Sequence, residues 1–171
     1  FAYSMQGKHE KAQDTIRSLE TFTLDLGPYF EKFLWSCKLR YYMLMNDTDA
    51  VRDLLPQGPG QAVIDLVFWF DVPEITYCHG LIFEGSKENL QLADKKIKWI
   101  IEIIISQYNT IHLIEIYAWQ AVLYDKLGKL EQAKEALVMS MDLAEPGNVI
   151  TYYLEIGKPF DHLISKMPDE I

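Results

Sequence analysis

Positive charge is scarce in this chain. Of its 171 residues, 16 are Lys or Arg against 25 Asp or Glu, a formal net charge of −9. A segment that grips nucleic acid through phosphates needs a basic patch, so that role is excluded for the chain itself. The densest basic stretch, Lys95-Lys96-Ile97-Lys98, is short and follows Asp94, which fits a solvated helix face. Cysteine is scarcer still. Cys37 and Cys78 are the only two, without C-x-x-C spacing, so no disulfide framework is expected and a reducing compartment is favoured. Long apolar runs are missing as well. The most apolar window, residues 99–105, is short and carries Glu102, whereas a membrane span needs about 20 residues. It predicts a buried helix, and no membrane is expected as a partner. The chain opens on Phe1, on what reads as the end of a helix, and is expected to be a piece of a longer protein.

Recognisable chemistry is also lacking. The four histidines, His9, His79, His112 and His162, are scattered. Cys78 and His79 are adjacent, and neighbours on a helix point about 100° apart, so they do not chelate together. No metal site is expected. Asp47-Thr48-Asp49 starts like a calcium loop, but Val51 stands where an oxygen ligand is needed and no Gly follows Asp49 at the turn; it predicts a helix cap. There is no G-x-x-x-x-G-K-[ST] phosphate loop, since Gly128-Lys129-Leu130 lacks both the hydroxyl and the upstream glycine. No motif presents a nucleophile. The expectation is a non-enzyme with no catalytic residue, cofactor or metal in this fragment.

What is present is hydrophobic patterning and a repeat. With 49% hydrophobic and 13% aromatic residues the chain buries a core rather than staying disordered. Gly7-Lys8-His9-Glu10-Lys11-Ala12 returns as Gly128-Lys129-Leu130-Glu131-Gln132-Ala133, and Tyr3 precedes Gly7 by the same four residues as Tyr124 precedes Gly128. Two more copies share the template: Tyr42, Asn46 and Val51, then Leu81, Gly85 and Leu90. The turn residues 7, 46, 85 and 128 are therefore 39, 39 and 43 residues apart. Such a period marks a helical repeat array. Each copy reads as two helices around a tight turn, with Gly or Asn where a left-handed helix end is required.

Pro28 and Pro73 suit first helical positions, Asp47 or Thr48 an N-cap, and the small Ala12 and Ala133 a close helix approach. Leu90, Ala93, Ile97, Ile100, Ile101 and Ile104 mark one helical face. The isoleucines favour a strand by propensity, but the period places them in a helix. Residues 56–60 read as a loop, and 61–72 as an atypical connection. The predicted fold is all-α, a solenoid of helical hairpins with units at about 1–26, 28–56, 73–106 and 109–146, in one domain. After Pro146-Gly147 comes an aromatic coda, 148–167. Its Val149, Ile150, Tyr153, Leu154, Phe160, Leu163 and Ile164 are expected to cap the open end of the array, with a ligand surface as the alternative.

Within the last unit, Tyr124, Gly128, Leu130, Ala133, Leu137 and Pro146 resemble the tetratricopeptide pattern, with Pro146 one place late; that likeness implies a right-handed superhelix. Longer blocks resemble the helical sensor region of MalT-like, LuxR-family transcriptional regulators. They are Ala144-Glu145-Pro146-Gly147 with residues 153–159 (YLEIGKP), residues 70–82 (FDVPEITYCHGLI) with Gly85, and Leu113-Ile114-Glu115-Ile116 through Gln120-Ala121 to Gly128 and Ala133. Together they cover about residues 66–166. Thr151 and His79 depart from the family, which usually carries Arg at both places. The resemblance implies a cytoplasmic, ATP-dependent regulator, with ATP bound in a domain before this region and DNA only by a helix-turn-helix after it. The region itself would bind a small-molecule inducer or a regulatory protein, with self-association possible. The alternative is a stand-alone protein-interaction scaffold without a transcription role. In either case the first helices of the hairpins offer a groove. Arg40 and His79 hold equivalent places two residues before the Tyr or Leu marker, as does Val122, and Glu115, Asp125 and Lys126 fall near the same stripe. These are the candidate ligand or partner contacts.

Overall fold

The computed structural model describes residues 1–24, 28–59 and 72–167. Among them every regular element is helical: α1 (Ala2–Met5), α2 (His9–Leu24), α3 (Pro28–Leu44), α4 (Thr48–Leu54), α5 (Pro73–Glu84), α6 (Lys87–Ser106), α7 (Thr110–Lys126), α8 (Leu130–Ala144), α9 (Thr151–Ile156) and α10 (Lys158–Ile164). Short 3-10 turns, Leu55–Gln57 and Glu145–Gly147, extend α4 and α8. Pro56 and Gln57, expected in a loop, thus belong to a 3-10 turn with Pro56 near its start, where the fixed φ of proline already suits a helical turn. The atypical connection expected at 61–72 lies, except for Val72, outside the described residues. None of the described helices is long and apolar enough to cross a membrane.

The ends of these helices are set locally. Pro28 and Pro73 open α3 and α5. The Asp47 carboxylate accepts from the Ala50 N–H at 3.0 Å, Ser86 Oγ accepts from Asn89 N–H at 3.4 Å, and Asn109 Oδ1 accepts from His112 N–H at 3.3 Å. These are the short polar side chains that satisfy orphan donors at a helix start. The expected corners have the expected backbone: φ is +71° at Gly7, +55° at Asn46, +80° at Gly85 and +71° at Gly128. Three share one hydrogen-bond signature, in which the residue after the corner donates five places back: Lys8 to Tyr3 O, Asp47 to Tyr42 O and Lys129 to Tyr124 O. That is a Schellman turn.

Two left-handed corners carry residues the pattern did not select, Asn148 (φ +50°) and Tyr108 (φ +55°). Both have the same signature, from Val149 to Ala144 O and from Asn109 to Ile104 O. Tyr108 is 93% exposed, so its ring packs on nothing that could offset the roughly 1–2 kcal/mol of steric cost an L side chain meets there. Tyr108→Gly is expected to raise stability by about 0.5–1 kcal/mol, and Gly128→Ala to lower it by about 1 kcal/mol. Urea midpoints of the two variants check both signs.

The chain forms two compact units, Phe1–Glu84 and Gly85–Ile171. In the first, α3 lies against α2, α4 and α5, and Leu39, Val51, Ile75, Leu81 and Ile82 are buried between these helices. The Trp35 indole N–H donates to Leu54 O at 3.0 Å, fixing α3 on the end of α4. Gly80 of α5 is covered closely by two leucine side chains: a Cβ there would stand 2.9 Å from Cδ2 of both Leu39 and Leu55.

In the second unit α7 is the centre. Twelve of its 17 residues are buried, because α6, α8, α9 and α10 all pack on it. A helix surrounded in this way must be apolar nearly all round, and IEIYAWQAVL (residues 114–123) supplies that. The isoleucine face of α6 is helical as expected. Leu90, Ala93, Ile97, Ile100 and Ile104 are buried, and Ile101 is half-buried at the margin. Ala12 and Ala133 are buried, as a close approach requires. The coda does form a helical pair on α7, tied by Leu163 and by Tyr153 stacking on Phe160 at 5.0 Å. Its inward face differs from expectation. Ile150, Leu154 and Ile164 point outward, and Ile156 takes the buried place instead. The reason is helix phase: Gly157 (φ +63°) breaks the coda into two short helices, so one continuous apolar stripe does not carry through both.

Candidate partner-binding cleft

The five side chains expected to line a groove occupy varied settings. In the first unit Arg40 is buried on α3 with its guanidinium 4.8 Å from the centre of the Phe1 ring, a cation–π arrangement. His79 is buried on α5. In the second unit Glu115 is buried, with Oε2 3.4 Å from His112 Nδ1. Asp125 accepts from Lys166 Nζ at 2.6 Å, tying α7 to the turn after α10. Lys126 is the exposed one of the five. Their shared sequence phase relative to the corner therefore corresponds to mixed burial, since α3, α5 and α7 are each enclosed by different neighbours.

Two recesses are lined by other side chains. In the first unit a recess of about 350 Å³ sits between α2 and α3, with Ile16, Tyr41 and Met45 beside Arg17, Glu20 and Asp47. Tyr41 and Tyr42 meet edge to face there at 5.3 Å, and Lys38 Nζ to Glu20 Oε1 at 2.8 Å closes one side. In the second unit a larger cleft of about 600 Å³ runs between the outer side of α8 and the segment 148–153. Its walls are Val138, Met141 and Ala144 on one side and Val149, Ile150 and Tyr153 on the other. Lys134 stands at one end, and Asp142 and Glu145 with Asn148 at the other. That composition, apolar walls with few polar groups, is typical of binding sites.

The arrangement follows from α8 having two apolar faces. Ala133, Ala136, Leu137, Ser140 and Ala144 turn inward, and their small size lets α8 lie close on α7. Val138 and Met141, four and seven residues on from Lys134, fall on the flank of α8 that meets solvent, where both are more than a third exposed. Between the two faces sits one buried polar junction. Ser140 Oγ donates to Ile114 O at 2.8 Å, so its remaining capacity is as an acceptor, and the Tyr153 hydroxyl donates to it at 2.9 Å. This bond pins α9 against α8 and makes the tyrosine ring a fixed wall. Burial pushes the Tyr153 hydroxyl above its usual value, the hydrogen bond with Ser140 opposing in part, so the phenol stays neutral and keeps donating.

The sequence pattern places Val149, Ile150 and Tyr153 in a cap, with a ligand surface as the alternative, and gives no binding role to Lys134, Val138, Met141, Asp142 or Glu145. The available signal was the surplus of apolar residues on α8. VMSM at 138–141 carries more than one stripe can bury. Among the described residues no group of three or more His, Cys, Asp or Glu side chains is placed to hold a metal ion. No protein family, no curated protein and no solved structure matches the chain.

Proposed function

We propose that this chain is a tetratricopeptide-like array of helical hairpins, the sensor and partner-binding region of a MalT-like, LuxR-family transcriptional regulator. In this reading it catalyses nothing. It binds an inducer or a regulatory protein, and thereby shifts its parent between inactive and active forms. The ATP-binding and DNA-binding steps reside in flanking domains. One observation carries the repeat reading: all four corners spaced 39, 39 and 43 residues apart in sequence have left-handed backbone. A repeat unit cannot bury its apolar face alone, so stacking and an extended binding surface go together. A ligand acts on such an array through unequal affinity for two shapes. The acidic charge agrees with DNA contacts lying outside the chain.

The test is the full coding sequence. Its product is expected to hydrolyse ATP and to bind promoter DNA, with residues 1–171 dispensable for neither regulation nor ligand response. A product with neither activity leaves the stand-alone scaffold as the remaining reading.

A further inference from the structure

The cleft of the second unit has a direction. Lys134 lies eight residues before Asp142 and eleven before Glu145 on the same helix, about 12 and 16 Å along its axis. The walls between them are apolar, and one side of the cleft is open to solvent. It is a trough about three turns of helix long, rather than a pocket that would enclose most of a small ligand.

The carboxylates of the acidic end run against the dipole of α8. Helix C-termini favour cations, because the last carbonyls carry partial negative charge. Yet the last turn of α8 has no basic residue, Asp142 lies within it and Glu145 is its C-cap. Both are exposed. Two carboxylates standing where the helix dipole disfavours them break a local rule, and such breaks mark functional positions.

We propose that this trough docks an amphipathic helix of a protein partner, parallel to α8, with an acidic first turn at Lys134 and a basic last turn at Asp142 and Glu145. The charge order fixes the polarity. Natural helices place acidic residues at their N-terminus and basic ones at their C-terminus, which matches the trough in the parallel sense alone. The apolar stripe of the partner falls on Val138, Met141, Val149 and Ile150. Met141 is unbranched and adapts to the knob it meets, and the recognition is helix-in-groove. The proposal rests on reading the chain as a partner-binding region and names the partner's chemistry.

The probe is a stapled helical peptide of about three turns, labelled with fluorescein, with Leu at one face, Glu in its first turn and Lys in its last. A second probe carries Lys first and Glu last. Anisotropy at low salt is expected to show the first probe binding about tenfold more tightly than the second. Asp142→Lys with Glu145→Lys, both at exposed positions and favourable to the helix dipole, is expected to keep the fold and weaken the first probe. Adding Lys134→Glu is expected to invert the preference. Met141→Glu should weaken both probes. Absence of binding, or equal binding of the two probes, overturns the proposal. Failure here with ATP- and DNA-dependent activity in the parent removes the docked helix and leaves the regulator reading. Ordered binding in a parent with neither activity removes the regulator and leaves the docked helix.

Discussion

Ala121→Asp is expected to cost more than about 4 kcal/mol and to abolish the native state of the second unit. Ala121 is fully buried in α7, the helix on which α6, α8, α9 and α10 all pack. A carboxylate there has no room for water, and an unpaired buried charge is among the most destabilising changes a fold can suffer. Protonating the group relieves the charge but still leaves a polar atom in an apolar site and adds volume to a packed one. Lys126→Ala, at the exposed end of the same helix, supplies the comparison and is expected to cost under about 1 kcal/mol. Far-UV circular dichroism through a urea titration measures both. A loss below about 1 kcal/mol for Ala121→Asp would mean that α7 is not enclosed as described.

Gly80→Leu is expected to destabilise the first unit by about 3 kcal/mol, while Gly80→Ala stays near neutral. Two terms compete in the alanine variant. Its Cβ stands 2.9 Å from the Cδ2 atoms of Leu39 and Leu55, so both methyls must move by a few tenths of an ångström. Against that, replacing Gly within a helix recovers about 0.8–1 kcal/mol of propensity. Methyl ends of leucines can yield that far. They cannot yield to a whole isobutyl group, because Leu39 is fully buried and Leu55 nearly so, and the surrounding core is close-packed. Comparable midpoints for the Ala and Leu variants would refute close contact between α5 and α3.

The corners illustrate how far local chemistry reaches. Gly7, Asn46, Gly85 and Gly128 were legible because a left-handed residue selects for Gly or Asn within a single turn, whatever the rest of the chain does. A cap at Asp47 or Thr48 was legible because its partner is a nearby N–H, and the Asp47 carboxylate takes it from Ala50, three residues away. Tyr108 was not legible. It has the same backbone as the glycines, yet it is neither Gly nor Asn, and nothing in its own neighbourhood announces it. The five groove candidates had a different difficulty: sequence phase fixes which side of a helix a residue occupies, while burial depends on which helices arrive at that side.

The trough shows the same division. The apolar run at 138–141 exceeds what one helical stripe can bury, but only the arrival of α7 on one side and of 148–153 on the other decided which part became core and which became a wall. The sequence alone thus determined that the chain is helical, where α3, α4 and α5 begin, and where four of the corners fall, since those features depend on hydrogen bonds spanning three to five residues. Tertiary structure decided the enclosure of α7, the outward turn of Ile150, Leu154 and Ile164, and the charge-ordered trough beside α8. Burial is set by partners far away in the chain, and no local pattern records who they are.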